Sequence, residues 1–155
     1  MTPLYGRSYQ GERVYDKRPT SPGTRVNTAA ILTKEGIKAK YNYTSSLTAN
    51  TFIYYLSTFV FPVLLDGSTL IMDNHPVHRA RAVQKYLNEN KIKFLYTPTY
   101  SPELNPIEEA FSKIKQYIKK QKARTVGNLI NVIKDAIDMI TPNDASGYFN
   151  HAAQF

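Results

Sequence analysis

The sequence contains no cysteine. Disulfides and thiolate metal sites are therefore excluded, and any metal must be held by oxygen or imidazole. This composition suits a reducing cytoplasm. Long apolar runs are also missing: the longest, FIYYLSTFVFPVLL at 52–65, is too short to span a bilayer and is broken by Pro62. The opening MTPLYGRSYQ lacks the apolar core of a secretion signal. No membrane span is expected. Acids are in short supply, 12 Asp and Glu against 20 Lys and Arg, giving a formal net charge of +8. That balance favours a polyanionic partner, nucleic acid being the commonest, over an acidic or neutral one; a basic surface without a partner is the bland alternative. At 155 residues with 42% hydrophobic content, the chain is the size of one domain with a real core.

Residues 1–25 read as a basic irregular arm, with Arg7, Arg13, Lys17, Arg18 and Arg25 set among Gly11, Gly23, Pro19 and Pro22. After Val26 an apolar run, a Lys34-Glu35-Gly36 turn and strict alternation of Ile37, Ala39, Tyr41 and Tyr43 against polar residues predict a hairpin. Phe52, Leu56, Phe59 and Val60 fall at helical spacing behind the capping candidates Thr48 and Asn50, and Pro62 ends that helix. STLIM predicts a short strand buried on both faces, and Asp73 ends it. Ala80, Val83 and Leu87 mark a helix leading to a strand at IKFLY, so the two strands are expected to be parallel. Pro98, Pro102 and Pro106 stiffen the following loop. From Pro106 an amphipathic helix carries Ile107, Phe111, Ile114 and Ile118 on one face, with Asn105 as its cap. Its other faces carry Lys113, Lys115, Lys119, Lys120 and Lys122. A second amphipathic helix from Val126 to Ile140 and a short one over 143–153 complete the chain.

Two acids raise a chemical question. Asp73 could merely cap the turn after its strand, and Glu108, three residues past Asn105, could be the glutamate of a capping box. Taken together they suggest more, because ligands gather at the carboxyl ends of strands in α/β sheets. A pair of carboxylates without thiols suits a hard cation such as Mg²⁺ or Mn²⁺. Two such ions about 3.5 to 4 Å apart would clamp the attacking and leaving oxygens of a phosphoryl transfer. The basic arm and the lysine-faced helix would then hold phosphates. HPVH places His75 and His78 three apart, but with His151 as the only other histidine a zinc site lacks ligands. His78 reads either as a neighbour of Asp73, contacting phosphate or orienting water, or as a solvent-facing histidine at a helix start.

MDNHPVH and TYSPELNPIEEAFSKIK, with 34 residues between Asp73 and Glu108, resemble the second and third acidic motifs of DDE transposases of the mariner and bacterial insertion-sequence superfamily. YGRSYQGERVYDKRP and NDASGYFNHA are similar to further segments of that family, so the resemblance covers nearly the whole chain. Glu103 stands where the family usually has aspartate.

The resemblance implies an α/β, ribonuclease-H-like mixed sheet flanked by helices. It also implies Mg²⁺- or Mn²⁺-dependent cleavage and joining of double-stranded DNA, with transposon ends and target as partners. Asp73 and Glu108 would be the catalytic metal ligands, and a location with the nucleoid of a bacterium or archaeon would follow. The family's first aspartate lies on a strand ahead of the YGR-like segment, which here begins at Tyr5; that strand and its aspartate are expected to be absent from this chain. Glu12, Asp16, Glu35 and Asp66 are better explained by ion pairs or turns. Two expectations follow: a nuclease, acting alone or with a separately encoded N-terminal portion that supplies the missing aspartate, or an inactive remnant that binds DNA or associates with intact transposase. An unpaired strand edge would also invite a homodimer.

Overall fold

The computed structural model describes residues 7, 9–13, 23–99 and 101–154. Elements follow in the order β1 (Asn27–Thr33), β2 (Gly36–Tyr43), α1 (Ala49–Tyr55), β3 (Thr69–Met72), α2 (Arg81–Glu89), β4 (Lys93–Tyr96), α3 (Pro106–Gln121), α4 (Val126–Asp138) and α5 (Pro142–Ala152). Residues 7, 9–13 and 23–26 belong to no helix or strand. Within the basic arm, Arg7 and Arg13 are exposed, whereas Lys17 and Arg18 lie outside the described residues.

β1 and β2 form the expected antiparallel hairpin. Its turn closes on Gly36, whose φ of 112° suits glycine, and a Cβ there would meet the Ile140 carbonyl oxygen at 3.0 Å. The strict alternation read in β2 is interrupted. Ala29 pairs with Tyr41 but Ile31 with Lys38, so β2 carries an extra residue, and Ala39 takes φ 50° there. This bulge sends Ile37 toward α3 and α4, while Ala39 and Tyr41 pack on the α1 side.

Thr48 caps α1 by accepting the Thr51 N–H. The helix then widens into a π turn over Leu56–Val60 and tightens to a 3-10 turn over Phe61–Val63. Tyr55, at ordinary i+3 spacing from Phe52 within α1, joins Phe52, Leu56 and Val60 in the core, whereas Phe59 inside the π turn is only partly buried. β3 and β4 pair in parallel through α2, as the helical connection requires. The reading of β3 as buried on both faces fails: Met72 is buried, but Ile71 is 47% exposed, as is its ladder partner Leu95 at 61%.

The strands form two separate two-stranded ladders, β1-β2 and β3-β4, and two hydrophobic clusters accompany them. One gathers α1, its π turn, Met72 and α2, with Leu56, Val60, Val83 and Leu87 at 1% exposure or less; full burial stabilises each by about 1.5–3 kcal/mol. The other joins Ala110, Ile114 and Ile118 of α3 to Ile133, Ala136 and Ile137 of α4.

Candidate active site

Asp73 directly follows β3. Its Oδ1 accepts the His75 backbone N–H at 3.0 Å, the turn cap that a short acid at a strand end can make. The same oxygen lies 2.7 Å from Nδ1 of His78. An ionised carboxylate only accepts, so Nδ1 carries the proton and Nε2 is the nitrogen left for another partner. His78 is not solvent-facing: its side chain is 18% exposed, its ring centroid lies 4.5 Å from that of Phe52, and its carbonyl accepts from the Tyr96 hydroxyl at 2.9 Å.

A second set of contacts, which the sequence reading passed over, ties the ends of β3 and β4 together. Asn74 Nδ2 donates to the Thr97 carbonyl, and Arg79 Nη1 donates to Asn74 Oδ1 at 3.2 Å. The Arg79 guanidinium stands 5.7 Å from the Tyr96 ring centre. The only signal for Asn74 was its place immediately after Asp73.

Glu108 sits in the first turn of α3. The capping box predicted with Asn105 does not form. The Asn105 side chain makes no cap bond, and its backbone N–H is already donated to the Pro102 carbonyl at 3.0 Å by the preceding 3-10 turn. Pro106 adds no N–H to be capped. The Glu108 carboxylate therefore has no hydrogen bond or ion pair with any described residue. Its neighbour Glu109 does, with Oε1 lying 2.6 Å from Nδ1 of His151 on α5.

Asp73, His75, His78, Asn105 and Glu108 line one cavity of about 830 Å³. Glu35, a further acid on its wall, belongs to the hairpin turn and pairs with Lys38 at 3.4 Å. Among the described residues no three His, Asp or Glu side chains cluster closely enough to hold a metal ion. Tyr55, also on the wall, is 3% exposed, and its hydroxyl has no hydrogen-bond partner among the described residues. Burial pushes its pKa upward, and an unpaired buried hydroxyl costs about 1–3 kcal/mol.

Lys115, Lys119 and Lys120 on α3 and Lys122 at its C-terminal cap are exposed. Lys113 is not a bare surface cation: its Nζ lies 2.8 Å from Asp144 Oδ1 and joins α3 to α5. That carboxylate, which also accepts from the Thr141 backbone and hydroxyl, is held down at a pKa of about 2, the Lys113 hydrogen bond being the largest cause. No helix among the described residues is long and apolar enough to cross a membrane.

A family profile described as DDE superfamily endonuclease matches residues 1–130. An insertion element IS630 uncharacterized 39 kDa protein of Shigella sonnei is 29% identical over 76 residues, 48% of this chain and 22% of that protein. Among solved structures, the Mos1 strand transfer complex matches with a TM-score of 0.77 at 16% identity, over 99% of this chain and 46% of that one. The Mos1 mariner paired-end complex with Mn gives 0.72 at 16% identity over 96% and 46%, and the isolated Mos1 catalytic domain 0.63 at 15% over 83% and 75%. The chain thus spans less than half the length of the longer relatives. Its fold is the ribonuclease-H-like fold of those catalytic domains. The chain belongs to the DDE superfamily of endonucleases.

Proposed function

We propose that this chain is catalytic machinery of a DNA transposase, in which Asp73 and Glu108 hold divalent cations for strand cleavage and transfer. One observation carries the reading: Glu108, freed from any capping duty, lines the same cavity as Asp73. Both carboxylates offer oxygen donors, which fit Mg²⁺ or Mn²⁺. When bound, such a cation supplies charge neutralisation at the scissile phosphate and an activated hydroxyl.

The chain's own residues set the site. His78 fixes one oxygen of Asp73, and Phe52 and Tyr96 fix His78, so the carboxylate is held in orientation before substrate arrives. Asn74 locks the paired strand ends beneath it. In the reaction, water attacks a phosphodiester at the element's end and the 3′ oxygen leaves; that hydroxyl then attacks a phosphodiester of target DNA and displaces its 3′ oxygen. Arg7, Arg13, Lys17, Arg18, Lys115, Lys119, Lys120 and Lys122 supply charge for the phosphate backbone, and binding therefore weakens steeply with salt. Lys113 contributes less, being spoken for by Asp144.

The test is cleavage of labelled duplex carrying the element's own ends, in Mg²⁺ or Mn²⁺, by the chain alone and together with the polypeptide encoded upstream of it. End-specific nicking that disappears in D73N and E108Q is expected. No cleavage in either mixture rejects the proposal.

A further inference from the structure

His75 shares the cavity wall with Asp73, His78 and Glu108, and it is exposed. Its Nδ1 accepts the Val77 backbone N–H at 3.3 Å. A ring nitrogen that accepts carries no proton, so the proton of His75 is on Nε2, which becomes a donor. His78 is the reverse: its Nδ1 donates to Asp73 at 2.7 Å and leaves a bare, accepting Nε2. The two ring centres lie 5.5 Å apart with the planes at 55°. One turn thus presents a donor and an acceptor side by side. Neither Nε2 has a hydrogen-bond partner among the described residues, and the Glu108 carboxylate has none either.

Capping this turn does not require a histidine. The amide two residues on is the ordinary target of a short polar side chain, and Asn, Asp or Ser at position 75 would accept it as well. The turn is also held without the ring. Asp73 accepts the His75 N–H, the His75 carbonyl accepts from the His78 and Arg79 amides at 2.9 and 3.2 Å, and Pro76 fixes its own φ. What the imidazole adds is an N–H on the far side of the ring. Such a donor suits a substrate oxygen that carries negative charge.

We propose that His75 contacts substrate: its Nε2–H donates to a non-bridging phosphate oxygen of the DNA strand on which Asp73 and Glu108 act, while the bare Nε2 of His78 accepts from the attacking water or 3′ hydroxyl. The proposal rests on the nuclease reading. The polarity cannot be exchanged, because a phosphate oxygen brought to His78 Nε2 would meet a lone pair.

Asparagine and glutamine separate the two nitrogens of His75. In H75N the amide oxygen takes the place of Nδ1 and keeps the Val77 contact, but nothing reaches the Nε2 position. In H75Q the longer amide brings an N–H to that position and gives up the Nδ1 contact. The experiment measures binding of duplex carrying the element's ends to the whole chain, without divalent cation, by fluorescence anisotropy, together with two-bond 1H–15N spectra of histidine-labelled wild type. The spectra should show His75 protonated at Nε2 and that signal moved by duplex. H75N should bind about 10–100-fold more weakly, the worth of one hydrogen bond to a charged group, and H75Q should restore most of the affinity. A role in capping alone predicts the opposite order. Equal binding by all three proteins, H75Q as weak as H75N or weaker, or His75 protonated at Nδ1 alone would overturn the proposal. Inorganic phosphate moving the Nε2 signal as strongly as duplex would mark a free-phosphate site and overturn the assignment to DNA. The expected order of affinities in a chain that cleaves no element end, alone or with the upstream polypeptide, upholds the His75 contact and overturns the nuclease reading. Absence of duplex binding by wild type overturns both.

Discussion

The beginnings of α3 and α5 share one local pattern, a capping residue, then proline, then an acid two positions later: Asn105-Pro106-Ile107-Glu108 and Thr141-Pro142-Asn143-Asp144. In α5 the pattern does what its chemistry allows. Thr141 accepts the Asp144 N–H, Asp144 reaches back to the Thr141 N–H at 3.0 Å, and Lys113 takes the remaining carboxylate oxygen. In α3 the same arrangement stays open, because the 3-10 turn at Pro102 has already claimed the Asn105 N–H. The acid consumed by structure sits at a helix–helix contact. The acid left over faces a cavity that it shares with Asp73. An acid's neighbours, more than its position in a helix, decide whether it is structural or available for chemistry.

The largest expected effect lies at the open acid. D73N and E108Q should each weaken Mn²⁺ binding by more than about 100-fold, since even partners one step removed from a metal are worth 10–100-fold. D144N should leave Mn²⁺ binding unchanged in the same calorimetric titration, and equal losses in all three variants would erase the distinction drawn between the two helix starts. Next in size, H78Q should lower Mn²⁺ affinity by about 10–100-fold while Asp73 remains in place, as loss of an orienting partner does.

On stability the order reverses. D144A removes a formed capping box and should cost about 1–2 kcal/mol in urea unfolding, whereas E108A should stay within about 0.5 kcal/mol of wild type. The smallest effect is that of pH. Asp144 has a folded-state pKa of about 2, below its ordinary value of 3.8, so its contribution is fully present above about pH 4 and is lost as pH falls toward 2. Melting curves of D144N should therefore be flatter than wild type across that interval.

Much of this was readable from sequence where local spacing governs. The α2 connection, the parallel order of β3 and β4, and the Ile114–Ile118 part of the α3 stripe followed from periodicity and from the length of the crossover, whereas the start of that stripe is buried through Ala110 and not Ile107. The bulge at Ala39, the π turn after Tyr55 and the failure of Asn105 to cap were not readable, because each depends on contacts with distant residues or on competition for a single N–H. Glu108 shows the point most clearly: its sequence context spells a capping box, and the 3-10 turn over Pro102–Leu104, immediately before its cap, prevents one. His78 was legible only as a choice between two roles, which Phe52, 26 residues earlier in the chain, and Tyr96 decide by enclosing it. The exposure of Ile71 and its ladder partner Leu95 was not readable either, because an apolar run does not record which face of a strand is covered.

In the proposed function Asp73 and Glu108 share a cation. Anomalous diffraction from crystals grown in Mn²⁺ tests this most directly. A manganese peak in contact with both carboxylates, lost in E108Q crystals, is expected. A peak bound to either residue alone, or one unchanged in E108Q, would contradict it.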